Sequence, residues 1–351
     1  MRTHQQHKDQ RCRKSQPPPF PRSRLQPFSR SLRAAVGGDG GSTNTGSTGN
    51  NPNPSNPGNP SATVPGTVES PQYAAGSAQL AALTLLNQYR SQCGFPALKQ
   101  NTVLDQAAQN HAKYIGENNA VTDTEVPGNA GYTGATYIDR AVAAGFPGGV
   151  IGIGASGANA VFTNNFNATV AGQQFVGSLL GGAYHAVVAT FPVDLVGFGE
   201  SEMQTTSGSY TFTESWQSIS MYAAKPQALQ GGPKTFPCDG VTGVPYRGIG
   251  EVPTPPNVSS SGWGTPITVM GNLTDVINMQ SASVTGPSGT VDVQILNSDS
   301  DPNKLLGKYQ AVAYPTSPLQ PNTTYSVTIS GTVNGAAFSR TFSFATANTA
   351  G

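Results

Sequence analysis

Residues 101–119 read NTVLDQAAQNHAKYIGENN. Leu104, Ala107, Ala108, His111, Ala112 and Ile115 recur at steps of three, one, three, one and three, which is one face of a helix. The stretch therefore predicts a helix with one packed face. His111 falls on that packed face and reads as a core histidine rather than a ligand. Working outward, Leu80, Leu83, Leu86 and Tyr89 predict an earlier helix that begins near Ser77 and is ended by Gly94 and Pro96. Thr136 with Asp139 forms a capping box for a third helix to Ala144, closed by Gly145. A fourth covers Thr169 to Leu180. Two strand-like runs, VDLVGFGESEMQ and SYTFTESWQS, follow as a hairpin. Helices followed by an antiparallel hairpin predict an α+β domain, placed at residues 76–224.

The flanks differ in character. Residues 1–75 read as a disordered basic tail and a Gly/Ser/Asn/Pro linker, with too few large apolar residues to offset the entropy of ordering. Residues 1–33 hold nine Lys/Arg and one acid, Asp9; the remainder holds 10 Lys/Arg against 17 acids, a net charge of −7. That balance gives the predicted folded part no basic surface for nucleic acid. No apolar run reaches the roughly 18 residues of a membrane helix. The basic N-terminus lacks the apolar core of a signal peptide. LRAAVGGDGGSTN resembles the end of a bacterial lipoprotein leader followed by a tether, without the leader's cysteine.

Charged residues make up 11% of the chain, against about 25% in a typical soluble protein, a surface more suited to the cell exterior than to the cytosol. Cys93 and Cys238 have no C-x-x-C spacing. A long-range disulfide between them fits an exported protein; two buried thiols are the alternative. Residues 225–261 are rich in Pro and Gly and read as a linker. Residues 262–351 hold about seven short β-rich runs, with Asn334-Gly335 as a two-residue hairpin turn. They predict an immunoglobulin-like β-sandwich, and LQPNTTYSVTISG followed by FSFAT resembles the closing strands of bacterial Ig-like domains.

Four blocks carry a further resemblance: LLNQYRSQCGFPAL at 85–98, NTVLDQAAQNHAKYI at 101–115, TEVPGNAGYTGATYIDRAVAAGF at 124–146 and YHAVVATFPVDLVGFG at 184–199. In this order they resemble the CAP superfamily of cysteine-rich secretory proteins, antigen 5 and pathogenesis-related class 1 proteins, in its bacterial secreted branch. The resemblance implies an α-β-α sandwich with a cleft holding two histidines and two glutamates. Carried over, the last histidine is His185, and the first falls at Asp123 or a neighbour. The glutamates fall in VIGIGAS and TVAGQQFVGSLL, which contain none; Ala141 to Val193 holds no Asp, Glu, Lys or Arg. The resemblance thus implies a degenerate cleft lined by His185, Tyr184, Asp123 and Glu125. Asp123, Glu125 and His185 are weak candidates for a metal, but no metal or cofactor is assigned. Nor is a catalytic residue, because His185 has no identifiable partner to orient it. Arg140, the one positive charge between Lys113 and Lys225, reads as a structural anchor. The glycine-rich GFPGGVIGIGASGANAVF lacks the Gly-Lys-Ser/Thr of a phosphate loop and reads as a loop beside the cleft.

These readings point to an exported surface protein without enzymatic activity that binds a lipid, another apolar ligand or an envelope component. A cell-wall or protein hydrolase, and a structural or adhesive protein using the fold as scaffold, are the other two readings.

Overall fold

The computed structural model describes residues 64–158, 162–225 and 227–351. The leader-like segment and most of the expected tail, residues 1–63, lie outside the described residues. Residues 64–75, assigned to that tail from composition, pack on the domain. Val68 N–H donates to Gln100 O at 3.1 Å, and the Tyr73 hydroxyl donates to Asp105. Val64 and Tyr73 pack against the domain's apolar cores.

Among the described residues, five helices and five strands form the first unit. The helices are α1 (Ala78–Gln92), α2 (Thr102–Glu117), α3 (Tyr137–Ala143), α4 (Ala168–Gly181) and α5 (His185–Ala189). The strands are β1 (Lys99–Gln100), β2 (Ile151–Ala158), β3 (Phe162–Thr163), β4 (Leu195–Ser207) and β5 (Tyr210–Ala223). They form one sheet in the order β1-β4-β5-β2, with β3 also paired to β5. The period of two along the strands separates the faces. Val196, Phe198, Ile219 and Met221 join Leu83 and Leu86 of α1 and Phe175, Val176 and Leu179 of α4 in one core. Leu195 and Tyr222 face the other way, with Leu104 of α2 and Ala141 of α3. The result is a helix–sheet–helix stack.

Helix α2 lies almost on the sheet, and its small residues, Ala107, Ala108 and Ala112, are buried there. A Cβ at Gly197 or Gly199 would meet the α2 backbone at Leu104 or Ala108 within 2.2 Å. The capping residues read from sequence are in place. Ser77 and Asn101 accept from helix N–H groups, and the Thr136/Asp139 capping box closes in both directions.

The glycine-rich loop expected beside the cleft is instead strand β2, antiparallel to β5 from Ile151↔Ala223 to Ala158↔Trp216. Its glycines serve packing. A side chain at Gly152 would strike the Tyr222 ring, and one at Gly154 the Tyr137 ring. Composition reads such glycines as breakers; here they make room for aromatic rings.

The second unit is a two-sheet β-sandwich. After Trp263 come β8 (Ile267–Met270), β9 (Ile277–Gly286), β10 (Gly289–Val291), β11 (Val293–Asn297), β12 (Gln310–Pro315), β13 (Thr324–Val333) and β14 (Ala336–Thr346). β13 alternates cleanly, burying Tyr325, Val327 and Ile329 and exposing Ser326 and Thr328. Asn334 and Gly335 both take positive φ, 52° and 81°, in the turn to β14. Residues 225–261, read as a linker, contribute two strands to this unit. β6 (Lys234–Phe236) pairs with β8, and β7 (Val241–Val244) runs parallel to β14. The sheets are thus β10-β9-β13-β14-β7 and β11-β12-β8-β6. Short strands among prolines and glycines leave no periodicity to read.

The two units share one continuous apolar core, in which Phe191 meets Tyr309 and Tyr89 meets Phe236 edge-on. A disulfide joins Cys93, just after α1, to Cys238 between β6 and β7.

Candidate functional site

The packed face of α2 delivers His111 to the interior, fully buried. Its Nδ1 lies 2.9 Å from Glu125 Oε1 and its Nε2 2.8 Å from Thr122 O. Both ring nitrogens therefore face acceptors. Burial, with Arg140 nearby, pushes the His111 pKa down to about 4, against the opposing pull of Glu125 and the Thr122 carbonyl. Burial works against the Glu125 carboxylate too. His111, the Thr133 N–H and Arg140 outweigh it and hold the Glu125 pKa below the usual range. Glu125 Oε2 also accepts from the N–H groups of Thr133 at 2.6 Å and Gly134 at 3.2 Å.

Arg140, at the end of the capped helix α3, spans this loop from behind. Its guanidinium donates to Gly134 O at 3.1 Å and Asp123 O at 3.0 Å, and lies 4.3 Å from the centre of the Tyr137 ring. Its Nε is 3.7 Å from Glu125 Oε1.

Asp123 sits between this cluster and His185. Its Oδ1 accepts from the Tyr137 hydroxyl at 2.7 Å and lies 3.1 Å from Ser156 Oγ on β2. Its Oδ2 has no hydrogen-bond partner among the described residues. Burial raises its pKa to about 7, with the field of His185 foremost among the influences that oppose the rise.

His185 opens α5 and is fully buried. Its Nδ1 donates to Glu251 Oε1 at 2.5 Å, and the same oxygen accepts from the backbone N–H of His185 at 2.9 Å and of Tyr184 at 3.0 Å. The Tyr184 hydroxyl donates to Asp301 Oδ1 at 2.8 Å and accepts from Asn303 Nδ2 at 2.8 Å.

The structure thus brings Asp123 within electrostatic reach of His185, and turns Glu125 toward His111 and Tyr184 toward the sandwich. Among the described residues, no group of three or more His, Cys, Asp or Glu side chains is arranged to hold a metal ion. The residue that sequence reasoning missed is Glu251. Asp123 and Glu125 were the acids legible as companions of His185, whereas its carboxylate arrives from 66 positions downstream. The available signal was a lone acid between Arg247 and Ser261, in a segment otherwise assigned no role.

Residues 83–184, under a third of the chain, match the family model described as CAP, the cysteine-rich secretory protein family. The match ends one residue before His185, so the His185–Glu251 pair lies outside it. No curated protein matches the chain.

Proposed function

We propose that this CAP-family domain, with the sandwich docked on it, is an exported, non-enzymatic binding module for an apolar chain-like ligand. One observation carries the reading. The titratable groups of the buried polar cluster face the interior, with His111 and His185 at 0% exposure and Asp123 and Glu125 at 2%. A general acid or base must reach a substrate proton, and these groups reach backbone and one another. The exterior setting is supported by the Cys93–Cys238 disulfide. Among the described residues, no helix is long and apolar enough to cross a membrane.

The open space lies elsewhere. A cavity of about 340 Å³ between α1 and α4 is lined by Leu85, Tyr89, Val170, Leu180 and Pro245, with Gln173 at its side. A second hollow of about 250 Å³ at the start of α1 shares Leu85 and Gln173 with it. No lining residue of either is charged, and the size lies at the small end of ligand pockets. The hydrolase reading has one point in its favour, an imidazole oriented by a carboxylate at His185–Glu251. Their exposure of 1% or less counts against that reading.

The test is titration of the full chain with a fluorescent long-chain fatty acid. Saturable binding abolished by Val170→Glu and retained in His185→Asn supports the groove. No saturable binding, or binding indifferent to Val170→Glu, rejects it.

A further inference from the structure

The segment Gly181–His185 is gripped three times by the C-terminal half. The Trp263 indole N–H donates to Gly181 O at 2.8 Å. Asp301 takes the Tyr184 hydroxyl. Glu251 takes two backbone N–H groups and the His185 ring. All three gripping side chains are 2% exposed or less. Helix α5 needs this help, since its own N-cap residue, Tyr184, makes no side-chain capping bond. Glu251 replaces that cap from another part of the fold, and its charge suits the positive end of a helix. Asp301 is itself pre-organised, accepting from the N–H groups of Asn303 at 3.0 Å, Leu305 at 2.6 Å and Leu306 at 3.2 Å.

From this geometry we infer that Gly181–His185 is an assembly latch, and that Glu251 is the positioning residue of His185. The CAP segment does not complete its own cleft. The carboxylate that fixes the His185 ring comes from the segment entering the sandwich, so the ring is set only while the two halves are docked. Docking and cleft geometry are then one equilibrium, and the halves unfold as one body. All three donors to Glu251 Oε1 come from Tyr184 and His185, so the contact is concentrated on this one segment. The inference stands independently of what the groove binds.

The chain has two tryptophans, which serve as reporters, Trp216 on β5 of the first unit and Trp263 at the latch. The experiment is urea unfolding of the full-length protein labelled with fluorotryptophan and followed by fluorine NMR, with nitrogen-15 NMR of the histidine rings at low urea. In the wild type the two fluorine signals should be lost at the same urea concentration. The His185 ring should give a strongly deshielded Nδ1 proton. Glu251→Gln keeps the shape and removes the charge; it should shift that proton upfield by several ppm while the native signal of Trp216 persists. Glu251→Ala should separate the two transitions, with Trp263 lost first. Separate transitions in the wild type would overturn the latch. A His185 signal unchanged in Glu251→Gln would overturn the positioning role, even if Glu251→Ala fails to fold.

Discussion

The hydroxyl of Tyr184 and the Oδ1 of Asp301 lie 2.8 Å apart in the buried interior, though 117 positions separate them in sequence. Asp301 is 0% exposed and spends its carboxylate on three backbone N–H groups as well. Removing one donor to a buried charge costs about 1–3 kcal/mol. Tyr184→Phe should therefore lower stability by about that amount. Asp301→Ala, which strands four donors, should cost more. Urea unfolding of the two variants at one pH gives the order directly; a larger loss in Tyr184→Phe would reverse the assignment.

Cys93 and Cys238 close a loop of 145 positions. The chain-entropy model gives roughly 5 kcal/mol for a loop of this length. The Cys93→Ser/Cys238→Ser double variant should lose stability of that order. It should still dock, because the latch and the shared core remain. Guanidinium unfolding with intact and reduced wild type as controls measures the loss.

Asp123 makes stability depend on pH in an identifiable window. Burial raises its pKa from 3.8 to about 7. The folded protein keeps this proton up to about pH 7, and the unfolded chain releases it near pH 4. Its contribution to stability is therefore lost as pH rises through that interval. Three units correspond to about 4 kcal/mol. Asp123→Asn has no proton to release there. The stability difference, variant minus wild type, should rise by about that amount between pH 4 and pH 8; groups remote from Asp123 titrate alike in both proteins and cancel. A difference that is flat with pH would show that Asp123 is ionised in the fold throughout.

Gly199→Ala tests the close approach of α2 to β4. The added Cβ would meet the Ala108 carbonyl carbon at 2.2 Å, backbone against backbone, so the helix must move. A loss of about 3 kcal/mol is expected. Gly148→Ala, with nothing within 4 Å of the new atom, should stay within about 0.5 kcal/mol of the wild type. Thermal unfolding of the pair compares the two directly.

The parts of this fold that sequence reveals are those written locally. The face of α2, the Ser77 and Thr136 caps and the Asn334-Gly335 turn each depend on residues within a few positions of one another. What stayed hidden was written at long range. β2 looks like a loop until the rings of Tyr137 and Tyr222 are laid over its glycines. β6 and β7 gain their partners from strands much later in the chain. In the site, His185 and Asp123 could be singled out, but Glu251 could not, because nothing local to a glutamate between Gly250 and Val252 says which imidazole it will meet.

β2 closes one side of the first sheet, and from Gly154 to Ala158 it is wholly buried. A bare outermost strand is a template onto which a neighbouring molecule can crystallise its own backbone, the first step toward fibrils and domain exchange. The glycines of β2 take the Tyr137 and Tyr222 rings against the strand's face, and Ser156 ties the strand to Asp123. The buried polar cluster thereby anchors this outermost strand. A chain that loosens there should lose its solubility before it loses its helices.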